Sequence, residues 1–239
     1  MLDKKASDLH LTVGSPPQLR IDGTLVPVKS KPLSSSEILT LCYSVLTDAQ
    51  KKVLEEKLEL DMSFGVKDLA ARFRANMFFQ RGAIAGVYRS IPSHVLSFEE
   101  LGLPPIIEDL SKRPHGLVLV TGPTGSGKST TLAAVVDKIN TSTYKHIITV
   151  EDPIEYQHQD AMSRITQREV GGDTASYQQA LRHVVRQSPD VILVGEMRDL
   201  ETIELALEAA STGHLVFGTL HTQNATKTID RVIDVFPAH

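Results

Sequence analysis

The sequence predicts an α/β protein in two parts: a small α+β unit, then a larger unit in which a parallel sheet is covered by helices on both faces. Three observations carry this. From Gly116 onward, short apolar strands alternate with amphipathic helices, the grammar of a parallel sheet. Before Pro92, strand patterns cluster around two consecutive helices and a tight turn. Between an apolar strand and a helix stands GPTGSGKST, Gly122 to Thr130, a glycine-rich stretch suited to cradling phosphate.

The elements follow in order. DLHLTV alternates with period two, and PPQLRIDGTLVPV reads as strand, Asp22-Gly23 turn and strand. In SSSEILTLCYSVL, Ser34 followed by Glu37 forms a capping-box pattern ahead of an apolar-periodic helix. TDAQKKVLEEKL is a second short helix, and DMSFGV, ARFRANMFFQ and GAIAGVYRSI are strands. Prolines at 92, 104, 105 and 114 mark residues 93–115 as a linker with one short helix near Ile106 to Ser111. Beyond it come LVLVT, a helix from Ser129, HIITVE, a helix in TASYQQALRHVVRQ, VILVG, a helix in LETIELALEAAS, LVFGTL and a helix from Ala225. The expected domains are therefore 1–92, the linker 93–115, and 116–239.

Composition narrows the function. The 239 residues are 41% hydrophobic and 23% charged, with material for a core that needs no staples. A single cysteine, Cys42, excludes an internal disulfide framework and reads as a small buried hydrophobe on the first helix. The formal net charge of −4 gives no electrostatic case for nucleic acid. No apolar run approaches the ~18 residues of a membrane span, and the N-terminus lacks the apolar core of a signal peptide. The expectation is a cytoplasmic protein that reaches membranes through a partner.

The chemistry gathers at strand ends. In GPTGSGKST the nucleotide-binding turn comprises Gly122, Pro123, Thr124, Gly125, Ser126 and Gly127, whose backbone N–H groups (Pro123 has none) converge on phosphate with the helix N-terminus. Lys128 reaches the β/γ-phosphates of a nucleotide, and the Ser129 hydroxyl, with Thr130 beside it, holds Mg2+. In DVILVGEMRD an apolar strand ends at Gly195-Glu196, which puts the Glu196 carboxylate on the metal side. Asp190 lies about 20 Å away at the strand's other end. In TVEDPIEY, Glu151, Asp152 and Glu155 follow another apolar strand, and one of them can orient or deprotonate an attacking water. TGHLVFGTLHT carries His214 before a strand and His221 after it. An extended segment of that length spans ~23 Å and turns the two rings to opposite faces, unless Gly218 marks a bulge, so the pair does not ligate one ion. His221 shares the phosphate-binding rim, because ligands of open parallel sheets bind at the strands' carboxyl ends. His214 follows Gly213, a helix C-cap signal, and on geometry is structural.

Taken together these stretches resemble the secretion-ATPase superfamily, and within it the type IV pilus retraction (twitching-motility) ATPases. GPTGSGKST resembles that family's Walker A, EDPIEY its Asp box, DVILVGEMRD its atypical Walker B, and TGHLVFGTLHT its His box. ASDLHLTVGSPPQLRIDGTL, QREVG and TIDRVIDVFP are similar to further family phrases, so the resemblance runs through nearly the whole chain. It implies a PAS-like N-terminal domain followed by a RecA-like P-loop motor domain. It also implies a homohexameric ring in which ATP hydrolysis with Mg2+ acts on an inner-membrane platform protein and, through it, on pilin. The catalytic glutamate of the Asp box corresponds to Glu155, the Walker B glutamate to Glu196, and the His-box histidines to His214 and His221. The resemblance also implies that Arg74 and Arg81, and less so Arg72, in ARFRANMFFQRG act on a neighbour's nucleotide across the ring.

Family members continue beyond DVFPAH, so the chain reads as truncated, and a strand missing beside the phosphate-loop strand would leave Leu117 to Val120 at an open edge. The alternatives are a pilus-extension or type II secretion ATPase of the same superfamily, a retraction paralogue, a small-molecule P-loop kinase, and a nucleotide-binding module without turnover.

Overall fold

The structure is a computed structural model that describes residues 1–66, 69, 71–91 and 94–236. The expected boundary at residues 92–93 and the last residues, 237–239, lie outside the described residues. The chain divides into two compact units, Met1–Ser93 and His94–His239.

The first unit is a six-stranded antiparallel sheet carrying two helices. Its strands are β1 (Asp8–Leu11), β2 (Gln18–Ile21), β3 (Thr24–Pro27), β4 (Glu59–Val66), β5 (Ala71–Gln80) and β6 (Ala83–Ile91), in the order β3-β2-β1-β6-β5-β4. Asp22 and Gly23 both have positive φ, 47° and 81°, as a two-residue hairpin between twisted strands requires. Helix α1 (Ser35–Tyr43) starts on the Ser34–Glu37 capping box, and α2 (Asp48–Lys57) on a second box, Thr47–Gln50, satisfying N–H groups that a helix start leaves orphaned. Ile38, Leu54, Met77 and Cys42 fill the core, where the Tyr88 hydroxyl donates to Cys42 Sγ at 3.3 Å.

The second unit is a five-stranded parallel sheet. It comprises β7 (Gly116–Thr121), β8 (His146–Glu151), β9 (Arg164–Glu169), β10 (Val191–Val194) and β11 (Leu215–Leu220), in the order β7-β11-β10-β8-β9. Its strands alternate faces. Ile148, Ile192, Val194 and Val216 pack under α5 (Tyr177–Val184) and α6 (Leu200–Ser211). Ile147, Val191, Leu193, Leu215 and Phe217 pack under α4 (Lys128–Ser142). Helix α3 (Pro105–Ser111) precedes β7, and α7 (Ala225–Asp234) follows β11.

Four features differ from the sequence reading or sharpen it. Strand β9 has no counterpart among the expected strands; it runs parallel to β8 in register from His146↔Arg164 to Glu151↔Glu169. The proline-marked stretch 93–115 is not a free tether from residue 94 onward, because Phe98, Leu101, Leu103 and Ile107 join the core on the α4 face. Gly218 makes no bulge: β11 stays in register with β7 from Leu215↔Gly116 to Leu220↔Thr121. The missing side chain instead admits a neighbour, since a Cβ at Gly218 would stand 2.9 Å from Met197 Sδ. Strand β7 ends the sheet order, so the open edge expected at Leu117 to Val120 is present among the described residues.

Candidate nucleotide site

The carboxyl ends of β7, β8, β10 and β11 form one rim, and the site is built there. After β7 the chain turns through Gly122 at φ 153°, Gly125 at φ 81° and Gly127 at φ 91°, where it enters α4. A side chain at any of the three would be strained. The reasons for glycine then diverge. A Cβ on Gly122 would also meet Ser126 Oγ at 2.6 Å, whereas one on Gly125 would meet nothing within 4 Å. Gly125 thus serves the curvature of an exposed turn. Helix α4 begins without a side-chain cap and without an acidic residue in its first turn, so its N–H groups and positive dipole end are left for an anion. The Lys128 ammonium donates to the carbonyls of Gly122 at 3.0 Å and Pro123 at 3.1 Å, which holds it over the loop.

A cavity of about 30 Å³ opens by the helix start, lined by Ser129 with Glu151, Glu155, Tyr156, Gly195 and Thr219 among others. Of the nine residues expected to bind nucleotide, Ser129 alone lines it. Pro123, Thr124, Gly125 and Ser126 stand exposed on the turn, where a ligand would meet main chain. The Thr130 hydroxyl meets that of Tyr156 at 3.1 Å.

Strand β8 delivers the acidic loop. Glu155 is exposed, and its backbone N–H donates to Glu151 Oε2 at 3.4 Å. Glu151 Oε1 accepts from Thr149 Oγ1 at 2.6 Å, and burial pushes the Glu151 carboxyl above the ordinary carboxylate range. Of the three acids at the end of β8 and beyond it, Glu151 is therefore internally bonded, and Glu155 is the one that is both exposed and on the cavity.

Strand β10 delivers Glu196. The backbone comes close here: a Cβ on Gly195 would lie 3.0 Å from the Tyr177 hydroxyl and 3.2 Å from Val150 O. The Glu196 carboxylate accepts from Arg198 Nη2 at 2.7 Å, and its Oε1 lies 3.0 Å from His221 Nε2. The Arg198 hydrogen bond is the main influence holding Glu196 below its ordinary range, with the charges of Arg198, His221 and Lys128 adding to it against burial. The effect of Lys128 on Glu196 ties the β10 end to the phosphate loop electrostatically. Asp190, at the opposite end of β10, accepts the His146 N–H at 2.8 Å, as its position away from the rim requires.

His214 is not gathered with these groups. It precedes β11 at the sheet's other end, where its Nδ1 lies 2.9 Å from Ala209 O in the last turn of α6. A carbonyl accepts, so Nδ1 carries the proton and the ring caps the helix next to Gly213, whose φ is 110°. This placement corrects the grouping of His214 with His221: the strand between them separates the two rings. His214→Ala is expected to lower the melting temperature by about 2–4 °C, the loss of one hydrogen bond of ~1 kcal/mol, with nucleotide affinity unchanged. Calorimetry with a nucleotide titration checks this, and weakened binding at an unchanged melting temperature would return His214 to the site.

The arginines sit in the first unit. Arg72 and Arg74 share one face of β5, opposite the buried Phe73, Ala75 and Met77. Arg72 Nη2 donates to Ser63 Oγ at 2.6 Å, while Arg74 is 4.0 Å from Asp61 Oδ1 and half exposed. Arg81 is on no strand: with φ 52°, it forms the β5–β6 hairpin turn with Gly82. Residues that sequence reasoning missed are Tyr156, Gln167 and Arg198. Only Arg198 had a signal, standing two residues beyond Glu196.

A glycine-rich loop after the edge strand of a parallel sheet, with a carboxylate after each of two further strands, defines a P-loop nucleotide-binding protein. A family model described as Type II/IV secretion system protein matches residues 1–236, and the chain belongs to that family. The chain is 56% identical over 233 residues to the type IV pilus retractation ATPase PilT of Pseudomonas aeruginosa, covering 98% of this chain and 67% of that protein. It is 52% identical over 222 residues to a twitching motility protein of Neisseria gonorrhoeae, covering 93% of this chain and 59% of the relative. The chain thus spans roughly three-fifths to two-thirds of the length of these relatives. A crystal structure of the pilus retraction motor PilT with bound ADP superposes with a TM-score of 0.95 at 53% identity, over 99% of this chain and 69% of that one. The fold is accordingly a RecA-like ATPase domain preceded by an α+β N-terminal domain.

Proposed function

We propose that this chain is the ATP-binding and ATP-hydrolysing part of a type IV pilus retraction motor, resting on the shared cavity that joins Ser129 of the phosphate loop to Glu155. In this reading the main chain of Gly122 to Gly127, Lys128 and the start of α4 bind the triphosphate. Glu155 takes the proton of the attacking water, and His221 reports on the terminal phosphate through Glu196.

The donor set suits Mg2+, a hard cation held by one or two oxygen side chains, the nucleotide's phosphates and water. Among the described residues no group of three or more His, Cys, Asp or Glu side chains could hold a metal alone, which such a nucleotide-carried ion does not need. Ser129 would hold the ion directly and Glu196 from beside it. Held there, the ion would supply charge neutralisation at the nucleotide's phosphates.

The motor is a homohexamer in which Arg74 and Arg81 act on a neighbouring protomer's nucleotide. It acts on a platform protein at the inner face of the membrane and, through it, on pilin. No helix among the described residues is long and apolar enough to cross a membrane. The relatives' names, which speak of pilus retraction and twitching motility, favour this branch over extension or type II secretion.

Phosphate release from Mg-ATP tests the class. Release without an added acceptor is expected. Release only with an acceptor would indicate a kinase, and binding without release a module that does not turn over.

A further inference from the structure

Glu155 is exposed, and what places it is the loop on which it sits. That loop is strapped from β9. The Gln167 side chain donates through Nε2 to Tyr156 O at 2.9 Å and to Glu151 Oε1 at 3.2 Å, and its Oε1 accepts the His158 N–H at 2.8 Å. One amide thus joins the residue after Glu155, the acid that receives the Glu155 N–H, and the backbone three residues on. Two of its partners accept and one donates, so the amide has a single workable orientation, and only a side chain with both a donor and an acceptor meets all three. Two further ties flank it: Ile154 N–H donates to Glu169 Oε2 at 3.1 Å, and Tyr156 Oη meets Thr130 of α4.

We propose that Gln167 is a positioning residue that sets Glu155 against the phosphate cradle by clamping the Glu151, Tyr156 and His158 groups in one hydrogen-bond cluster. The inference rests on the reading of Glu155 as the base. Preorganised geometry is worth about 10²-fold in rate per ångström of misplacement, so a slackened loop costs turnover before it costs binding.

The test compares wild type, Gln167→Leu, Gln167→Glu and Glu155→Gln in steady-state Mg-ATP hydrolysis by the assembled protein, with titration of a fluorescent ADP. Both Gln167 variants are expected to lose about 10- to 100-fold in kcat with KM and ADP affinity unchanged. Gln167→Glu keeps the shape but sets a carboxylate against the Glu151 carboxylate and the Tyr156 carbonyl. It is expected to regain kcat relative to wild type as pH falls from about 8 to about 6 and a proton is shared between the two acids, whereas Gln167→Leu regains none. Amide exchange at Ile154, Glu155 and His158 is expected to quicken in both.

If Glu155→Gln abolishes turnover while both Gln167 variants keep wild-type kcat and exchange, the positioning role is overturned and the base assignment stands. If Glu155→Gln turns over normally, the base assignment fails first. Loss of ADP affinity and melting temperature together, without a pH-dependent regain, would reduce Gln167 to a structural residue.

Discussion

Glu155→Gln is expected to bind Mg-ATP as the wild type does and to release phosphate about 10²–10⁴ times more slowly, the range for loss of a general base. The substitution keeps size and hydrogen-bonding reach but removes the lone pair that takes a proton from water. Binding is spared because the phosphate contacts come from other groups: the loop N–H groups, the start of α4 and Lys128. Glu151 is no substitute, since its oxygens are occupied by Thr149, Gln167 and the Glu155 N–H. Single-turnover phosphate release, read beside equilibrium nucleotide titration, separates the two effects. Equal release rates for variant and wild type would remove Glu155 from the chemistry.

Lys128→Ala acts one step earlier and is expected to weaken nucleotide affinity by about 10- to 100-fold, the loss of one charge-assisted hydrogen bond of ~1.5–3 kcal/mol. Part of the loss comes from the loop itself, because the ammonium also ties the Gly122 and Pro123 carbonyls together. The weakening should be larger for ATP than for AMP, which lacks the β- and γ-phosphates. Isothermal titration with both nucleotides reads this directly, and an equal loss for the two would place the lysine away from the phosphates.

Much of the site is legible in the sequence because its parts obey local rules. The glycines 122, 125 and 127 with positive φ, a capping box and an Asp-Gly hairpin each act over a few residues, and each is found where its residues stand. The placement of Glu155, Glu196 and His221 on one side follows from the polarity of parallel strands alone. The exclusion of Asp190 and the structural reading of His214 follow from strand length and from Gly213.

The parts that escape a sequence reading depend on contacts remote along the chain. Strand β9 has a single apolar residue, Ile165, and no alternation, so nothing in RITQRE distinguishes a sheet member from a surface loop. With β9 unseen, Gln167 has no reason to be set against the loop after β8, and Tyr156 none to meet Thr130. The prolines between residues 92 and 114 suggest a tether, yet Phe98, Leu101 and Leu103 are spaced too irregularly to show a period and still pack as core. Arg81 groups naturally with Arg74, although Arg-Gly after a strand of this length is also a hairpin turn.

The most direct test is a crystal structure of the protein with Mg2+ and a non-hydrolysable ATP analogue. The β- and γ-phosphates are expected on the N–H groups of residues 122–129 with Lys128 reaching them, the ion on Ser129 Oγ, and Glu155 one water molecule from the γ-phosphorus. A nucleotide bound anywhere else, or a Glu155 that faces away from the γ-phosphate with its loop still clamped by Gln167, would contradict the assignment of this rim as the site of ATP hydrolysis.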